Sequence, residues 1–180
     1  MDLAQAVHNE AKDLEAAGCQ YIQIDEPAIC TRPEEMELAS EALGAVTRGL
    51  NAYTVTHTAE YTQTYGEMAS VFDQLVRLPV DNLDLEMVNS HYFILELFRQ
   101  RGLPPGKAIS AGVLDVHTHL IESVDQVKAG IRKALELFPP ERLWIKPDCG
   151  LKTRLEEEAI AKLKVMAQAV KEVKEELGIE

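Results

Sequence analysis

The sequence is short of positive charge: 18 lysines and arginines face 30 aspartates and glutamates in 180 residues, a formal net charge of -12 at pH 7. Such a balance repels phosphate backbones and anionic membrane surfaces on average, so neither nucleic acid nor a membrane is expected as a partner. Long apolar runs are missing as well. Nothing approaches the roughly 20 residues that span a bilayer, and the opening stretch MDLAQAVHNEAKDLEAAG is charged and amphipathic rather than a signal peptide. The chain reads as cytoplasmic. Cysteine is scarce: Cys19, Cys30 and Cys149 are an odd number without a paired spacing, which excludes a disulfide framework and leaves at least one thiol for chemistry. No Gly-, Ser- or Pro-rich tract is long enough to mark a domain boundary, and no GxGxxG fingerprint follows a strand.

What is present is alternation. Short runs rich in β-branched, apolar or aromatic residues occur at Gln20–Ile24, Ala52–Thr56, Asn82–Glu86, Ala108–Val113 and Leu143–Lys146. Each is followed by a polar turn and a longer stretch with helical spacing: Glu34–Leu50, Thr64–Leu78, Ser90–Arg101, Ser123–Phe138 and Glu156–Leu177, while Leu3–Ala17 precedes the first strand. Repeated βα units pack as a parallel sheet covered by helices, so the fold class is α/β. A single domain over residues 1–180 is expected, with 46% hydrophobic residues to build its core.

Polar residues gather where the strands end: Asp25 and Glu26, His57, Glu86, Asp115 and His117, then Asp148 and Cys149. Convergence at the C-terminal ends of parallel strands is how (β/α)8 barrels build their sites. Five strands do not close a barrel of eight. The expectation is therefore the C-terminal portion of a TIM barrel, either cut from a longer protein or completed by another copy or a partner chain. Within the strand-end set, His57, Glu86 and Cys149 offer an imidazole, a carboxylate and a thiolate, the ligand types that suit zinc. The intervals between them are too long for a zinc finger and are what successive strands would give.

The segments IQIDEPA (Ile22–Ala28), VTHTAEY (Val55–Tyr61), LDLEM (Leu83–Met87), GVLDVHT (Gly112–Thr118) and LWIKPDCGLKTR (Leu143–Arg154) resemble, in order, the strand-end motifs of the catalytic domain of cobalamin-independent methionine synthase. The resemblance covers nearly the whole chain and implies the last five strands of a zinc-dependent methyltransferase barrel. It puts His57, Glu86 and Cys149 on three of the family's four metal ligands, Asp25 on the aspartate that holds the homocysteine amino group, and His117 on the proton donor to the leaving nitrogen. The activity implied is transfer of a methyl group from a methyl-folate, of the 5-methyltetrahydropteroyltriglutamate type, to the thiol of homocysteine, giving methionine.

One motif departs from the family. His57-Thr58-Ala59 stands where the pattern is His-x-Cys, so the fourth ligand is absent. Three protein ligands with an open position still describe a workable catalytic site. Cys30, Glu60 and His119 are candidates to replace the missing ligand. Two other readings remain open: a lyase of the same superfamily acting on the thiol of coenzyme M, and a truncated or decayed relative that catalyses nothing. Tyr53, Tyr61 and Tyr65 are expected to pack rather than to bind, and Cys19 to be buried.

Overall fold

A computed structural model describes residues 1–59 and 65–179. Five parallel strands, β1 (Tyr21–Gln23), β2 (Tyr53–Thr58), β3 (Asn82–Leu85), β4 (Ala108–Gly112) and β5 (Leu143–Lys146), lie side by side in chain order. Helices α1 (Asp2–Ala16), α2 (Met36–Thr47), α3 (Tyr65–Leu75), α4 (Ile94–Arg101), α5 (Val124–Leu135) and α6 (Glu156–Leu177) run between and around them. Every strand and helix expected from the sequence is present; Leu143–Lys146 and Glu156–Leu177 have the expected bounds and the others have shifted ends. Among the described residues no helix is long and apolar enough to cross a membrane.

The shifts have local causes. Before α2, Pro33–Glu35 is a turn of 3-10 helix, because proline tolerates the first helical position but offers no N–H. α4 begins at Ile94 rather than Ser90 because His91 and Tyr92 take positive φ values of 54 and 63 degrees, closing a left-handed turn in which Tyr92 N–H donates to Met87 C=O at 2.7 Å. α5 starts where the sequence says. Ser123 Oγ accepts the Gln126 N–H while Gln126 Oε1 accepts that of Ser123, a reciprocal cap.

The register divides the sheet into two faces. Leu83, Leu85, Ile109 and Ala111 point one way and join a core with Phe72, Leu75, Leu97 and Phe98 from α3 and α4. Across the pleat lie His57, Asp84, Ser110 and Trp144, paired in sequence from β2 to β5. This second face is polar rather than filled by branched aliphatic residues: Ser110 Oγ donates to Asn82 Oδ1 at 3.1 Å, and Lys146 pairs with Asp84.

It is also concave. Tyr21 on β1 and Trp144 on β5, from opposite edges of the sheet, stand 5.4 Å apart between ring centroids, and Tyr53 stacks on Trp144 at an interplanar angle of 7 degrees. A flat sheet would hold those rings four strand widths apart. Five units thus carry barrel curvature, with the aromatic trio filling the end away from the strand C-termini. Tyr53 packs as expected, and Tyr65 packs edge-on against Phe93. Cys19 does not follow expectation: it is exposed, because Gly18 with φ of 101 degrees turns the chain outward ahead of β1.

Candidate metal centre

The C-terminal ends of β2, β3 and β5 meet on the concave face. There one donor atom each from His57, Glu86 and Cys149 lies within 4.8 Å of the others. His57 Nε2 stands 3.4 Å from Cys149 Sγ. Two ligands of a tetrahedral zinc, with bonds of about 2.0 Å to nitrogen and 2.3 Å to sulfur, are separated by roughly 3.5 Å. The donor set and its spacing therefore fit a divalent metal of that class. His57 is 6% exposed and Glu86 1%, while Cys149 is half-buried and leaves the group an opening.

The imidazole is not free to turn. His57 Nδ1 lies 2.7 Å from Asp84 Oδ1, so a hydrogen on Nδ1 leaves the Nε2 lone pair aimed at the cluster. Asp84 is 6% exposed, and its charge is met by the Lys146 ammonium at the same oxygen. Lys146 Nζ also donates to the Asp148 carbonyl at 2.6 Å.

Asp148 performs a second task. Its Oδ1 accepts the N–H groups of Met87 and Val88 at 2.8 and 3.1 Å, and its Oδ2 accepts that of Asn89 at 3.1 Å. The backbone immediately after Glu86 is thereby tied to the residue immediately before Cys149. Burial pushes the Asp148 carboxyl above its ordinary range, and the three donors and Lys146 pull it back.

The other expected site residues lie outside this cluster. Asp25, past the end of β1, is exposed and accepts from Gln23 Nε2 at 2.8 Å. His117 is exposed in the loop after β4, where its N–H donates to Asp115 Oδ1 at 2.8 Å. That loop is anchored from beneath: Asp115 N–H donates to Glu122 Oε1, and the fully buried Lys162 of α6 donates to Glu122 Oε2 at 2.7 Å and to Leu120 C=O at 2.6 Å.

Of the candidates to replace a fourth ligand, Cys30 is buried in the apolar core in the turn Ile29–Thr31. His119 is exposed and engaged with Glu158 at 2.9 Å. Neither joins the cluster among the described residues, and Glu60, like Tyr61, lies outside them. Ala59 itself is held by its N–H, which donates to Pro27 C=O at 3.2 Å.

Asp84 and Lys146 are not among the residues that the sequence singles out. The signal was there: Asp84 precedes Glu86 by two residues and Lys146 precedes Asp148 by two, which puts each pair on one side of its strand. What the spacing could not give was the register that sets Asp84 beside His57.

Residues 1–172 match the family described as the catalytic domain of cobalamin-independent synthase. Methionine synthase of Saccharolobus islandicus (strain Y.G.57.14 / Yellowstone #1) is 43% identical over 176 residues, 98% of this chain and 51% of that protein. The methionine synthase of Sulfolobus acidocaldarius is 39% identical over 98% of this chain and 49% of its own length. The chain spans about half the length of the curated relatives it matches.

A solved B12-independent methionine synthase from Shewanella sp. W3-18-1, in complex with selenomethionine, superposes with a TM-score of 0.85 at 30% identity, covering 97% of this chain and 54% of that one. A Listeria monocytogenes structure, at 21% identity and a TM-score of 0.69, shares the fold. The chain belongs to the cobalamin-independent methionine synthase family and corresponds to part of its catalytic domain.

Proposed function

We propose that this chain carries the metal-binding part of a methyltransferase centre that moves a methyl group from a methyl-folate to the sulfur of homocysteine, forming methionine in the cytoplasm. The observation that carries the reading is the convergence of His57, Glu86 and Cys149 donor atoms within 4.8 Å at three strand ends, in a member of this family. The selenomethionine bound by the Shewanella relative is an analogue of the proposed product and supports the substrate class.

His57, Glu86 and Cys149 would hold the ion, and the absence of a fourth protein ligand at Ala59 leaves room for the substrate sulfur. Zinc, when bound, supplies the Lewis acidity that keeps a thiol ionised near neutral pH. The chain's own residues do the rest. Asp84 fixes the ring of His57 so that Nε2 faces inward. Asp25 offers an exposed carboxylate to the substrate ammonium. His117, on a loop braced by Glu122 and Lys162, delivers a proton to the folate nitrogen as its bond to the methyl group breaks. An imidazole suits this role because its ordinary pKa lies near neutrality.

Both edge strands lack a neighbour on one side among the described residues. A groove of about 560 Å³ beside β5, lined by Leu143, Ile145, Val170 and Leu177, leaves apolar surface open at that edge. We therefore read the active form as an assembly in which another copy or a partner chain completes the barrel.

Metal analysis tests the reading first. About one zinc per chain, lost in Cys149→Ala, supports it, whereas no zinc at low-micromolar supply rejects it. Methyl transfer to homocysteine, assayed with and without a separately encoded partner, then distinguishes a transferase from a metal-binding relative that catalyses nothing.

A further inference from the structure

We propose that Lys146 is a positioning residue for the candidate centre: it locks all three ligand-bearing strand ends into one hydrogen-bonded chain and so sets metal affinity. The inference rests on the metal reading above and goes beyond it, since nothing in the donor set itself requires a lysine.

The chain of contacts runs through Nζ. On one side Lys146 meets Asp84 Oδ1, the oxygen that faces His57 Nδ1 at 2.7 Å. On the other it donates to the carbonyl of Asp148 at 2.6 Å. That carbonyl belongs to the peptide bond whose nitrogen is Cys149's, so holding it fixes where the cysteine side chain departs. The same Asp148 collects the three N–H groups that follow Glu86. Lys146 thus joins the half of the network that aims His57 to the half that sets Glu86 and Cys149.

Charge makes the arrangement more than a brace. Asp84 is almost fully buried, and a carboxylate there with no cation would carry an unmet desolvation cost. With Lys146 in place the carboxylate can hold the imidazole by its Nδ1 side and leave Nε2 to the metal. Partners of this kind, one step behind the ligands, typically change metal affinity by about 10- to 100-fold when removed. The geometry is also specific to a side chain on this face: Gly112, in register with Lys146 on the neighbouring strand, leaves the concave surface clear for Asp148.

The test measures zinc affinity by competition with a chromophoric chelator and, separately, the absorption of the cobalt-substituted protein. Lys146→Met is expected to weaken zinc binding by about 10- to 100-fold and to shift the cobalt bands, because the ligands lose their common anchor. Lys171→Met, at an exposed helix position, serves as the control and leaves both readouts unchanged. If Lys146→Met does not fold, the double variant Asp84→Asn with Lys146→Met, which buries no unpaired charge, is measured against Asp84→Asn alone and binds zinc more weakly than that single variant, because the bond to the Asp148 carbonyl is also lost.

A folded variant that binds zinc as tightly as the parent, with unshifted cobalt bands, overturns the proposal and leaves the metal reading intact. A variant that lowers the melting temperature of the metal-free protein without altering affinity also overturns it, since that is a purely structural role. Failure of the parent protein to bind zinc at all rejects the metal reading, and the proposal with it.

Discussion

Gly112 leaves the space that Asp148 occupies: a Cβ at position 112 would stand 2.0 Å from Asp148 Oδ1 and 2.9 Å from its Cα. The second contact is with backbone, which a side-chain rotation cannot relieve. Gly112→Ala is therefore expected to destabilise the fold by about 1–3 kcal/mol, as overpacking of a filled site does. It should also displace the carboxylate that holds the backbone after Glu86, so zinc affinity falls with stability. Chemical denaturation and chelator competition measure the two effects; a variant with unchanged affinity would show that Asp148 does not organise the centre.

Cys149 and Cys19 offer an internal comparison. Cys149 Sγ lies 3.4 Å from His57 Nε2 in the cluster, whereas Cys19 is exposed and remote from it in sequence and fold. Metal bound at the cluster engages the Cys149 sulfur and lowers its nucleophilicity, so zinc should slow alkylation of Cys149 by at least tenfold and leave Cys19 unaffected. Cys30, buried in the core, should label only on unfolding. Peptide mass spectrometry after timed iodoacetamide exposure reads all three, and equal labelling of Cys149 with and without zinc would count against its role as a ligand.

The sequence carried the architecture because its signals were local. Apolar runs of strand length, each followed by helical periodicity, predict βα units wherever they occur, and the stretch expected from Ser123 begins where Ser123 caps α5. Strand-end chemistry was legible for the same reason: His57, Glu86 and Cys149 stand where runs end. The supporting residues were not, because Asp84 and Lys146 meet only through the register of three strands and the Asp148 contacts cross about sixty residues of chain. The α4 boundary differs because of backbone conformation: His91 is a residue type that favours positive φ only modestly, and the bulky Tyr92 beside it gives no such signal. Cys19 departs from expectation because a small apolar side chain beside a strand is usually buried, and Gly18 turns it out.

Position 59 invites a gain-of-function experiment. Ala59 is the first residue beyond β2 and lies two on from His57, so a chain that kept the extended course of the strand would turn a side chain at 59 the same way as His57. Ala59→Cys should add a thiolate to a three-ligand set and tighten zinc binding by about tenfold or more. Catalytic turnover need not follow, because the added thiolate competes with substrate sulfur for the open position. Chelator competition on parent and variant decides the point, and equal affinities would mean that the loop after β2 does not deliver residue 59 to the metal.

Acid should loosen the junction between α1 and β2. Glu15 accepts the N–H groups of Asn51 and Ala52 at 2.5 and 2.8 Å and pairs with Lys12 at 2.6 Å. These contacts, the Lys12 bond first, hold its carboxyl down at about 2 from an ordinary 4.5. A carboxyl with a depressed folded pKa stabilises fully above its unfolded value, and that contribution fades as pH falls from about 4.5 toward 2. Glu15→Gln should melt lower than the parent at pH 7, with the gap closing across that window. A gap that stays constant down to pH 2 would mean that the hydrogen bonds, rather than the charge, carry the contribution.

Assembly follows from the edges. β1 and β5 each pair on one side only among the described residues, and the helices beside them expose apolar residues: Leu3 and Leu14 on α1, Leu163 and Leu177 on α6. Surface of this kind beside open parallel edges favours association. The purified chain is expected to scatter light as a dimer or larger species at micromolar concentration, or to elute with a partner when isolated from its source. Leu163→Glu, which puts a charge in the α6 stripe without touching the candidate ligands, should reduce the associated fraction several-fold and leave zinc stoichiometry unchanged. A monomeric mass for the parent chain would remove the idea, and would require the concave face to serve its metal with both edges open to water.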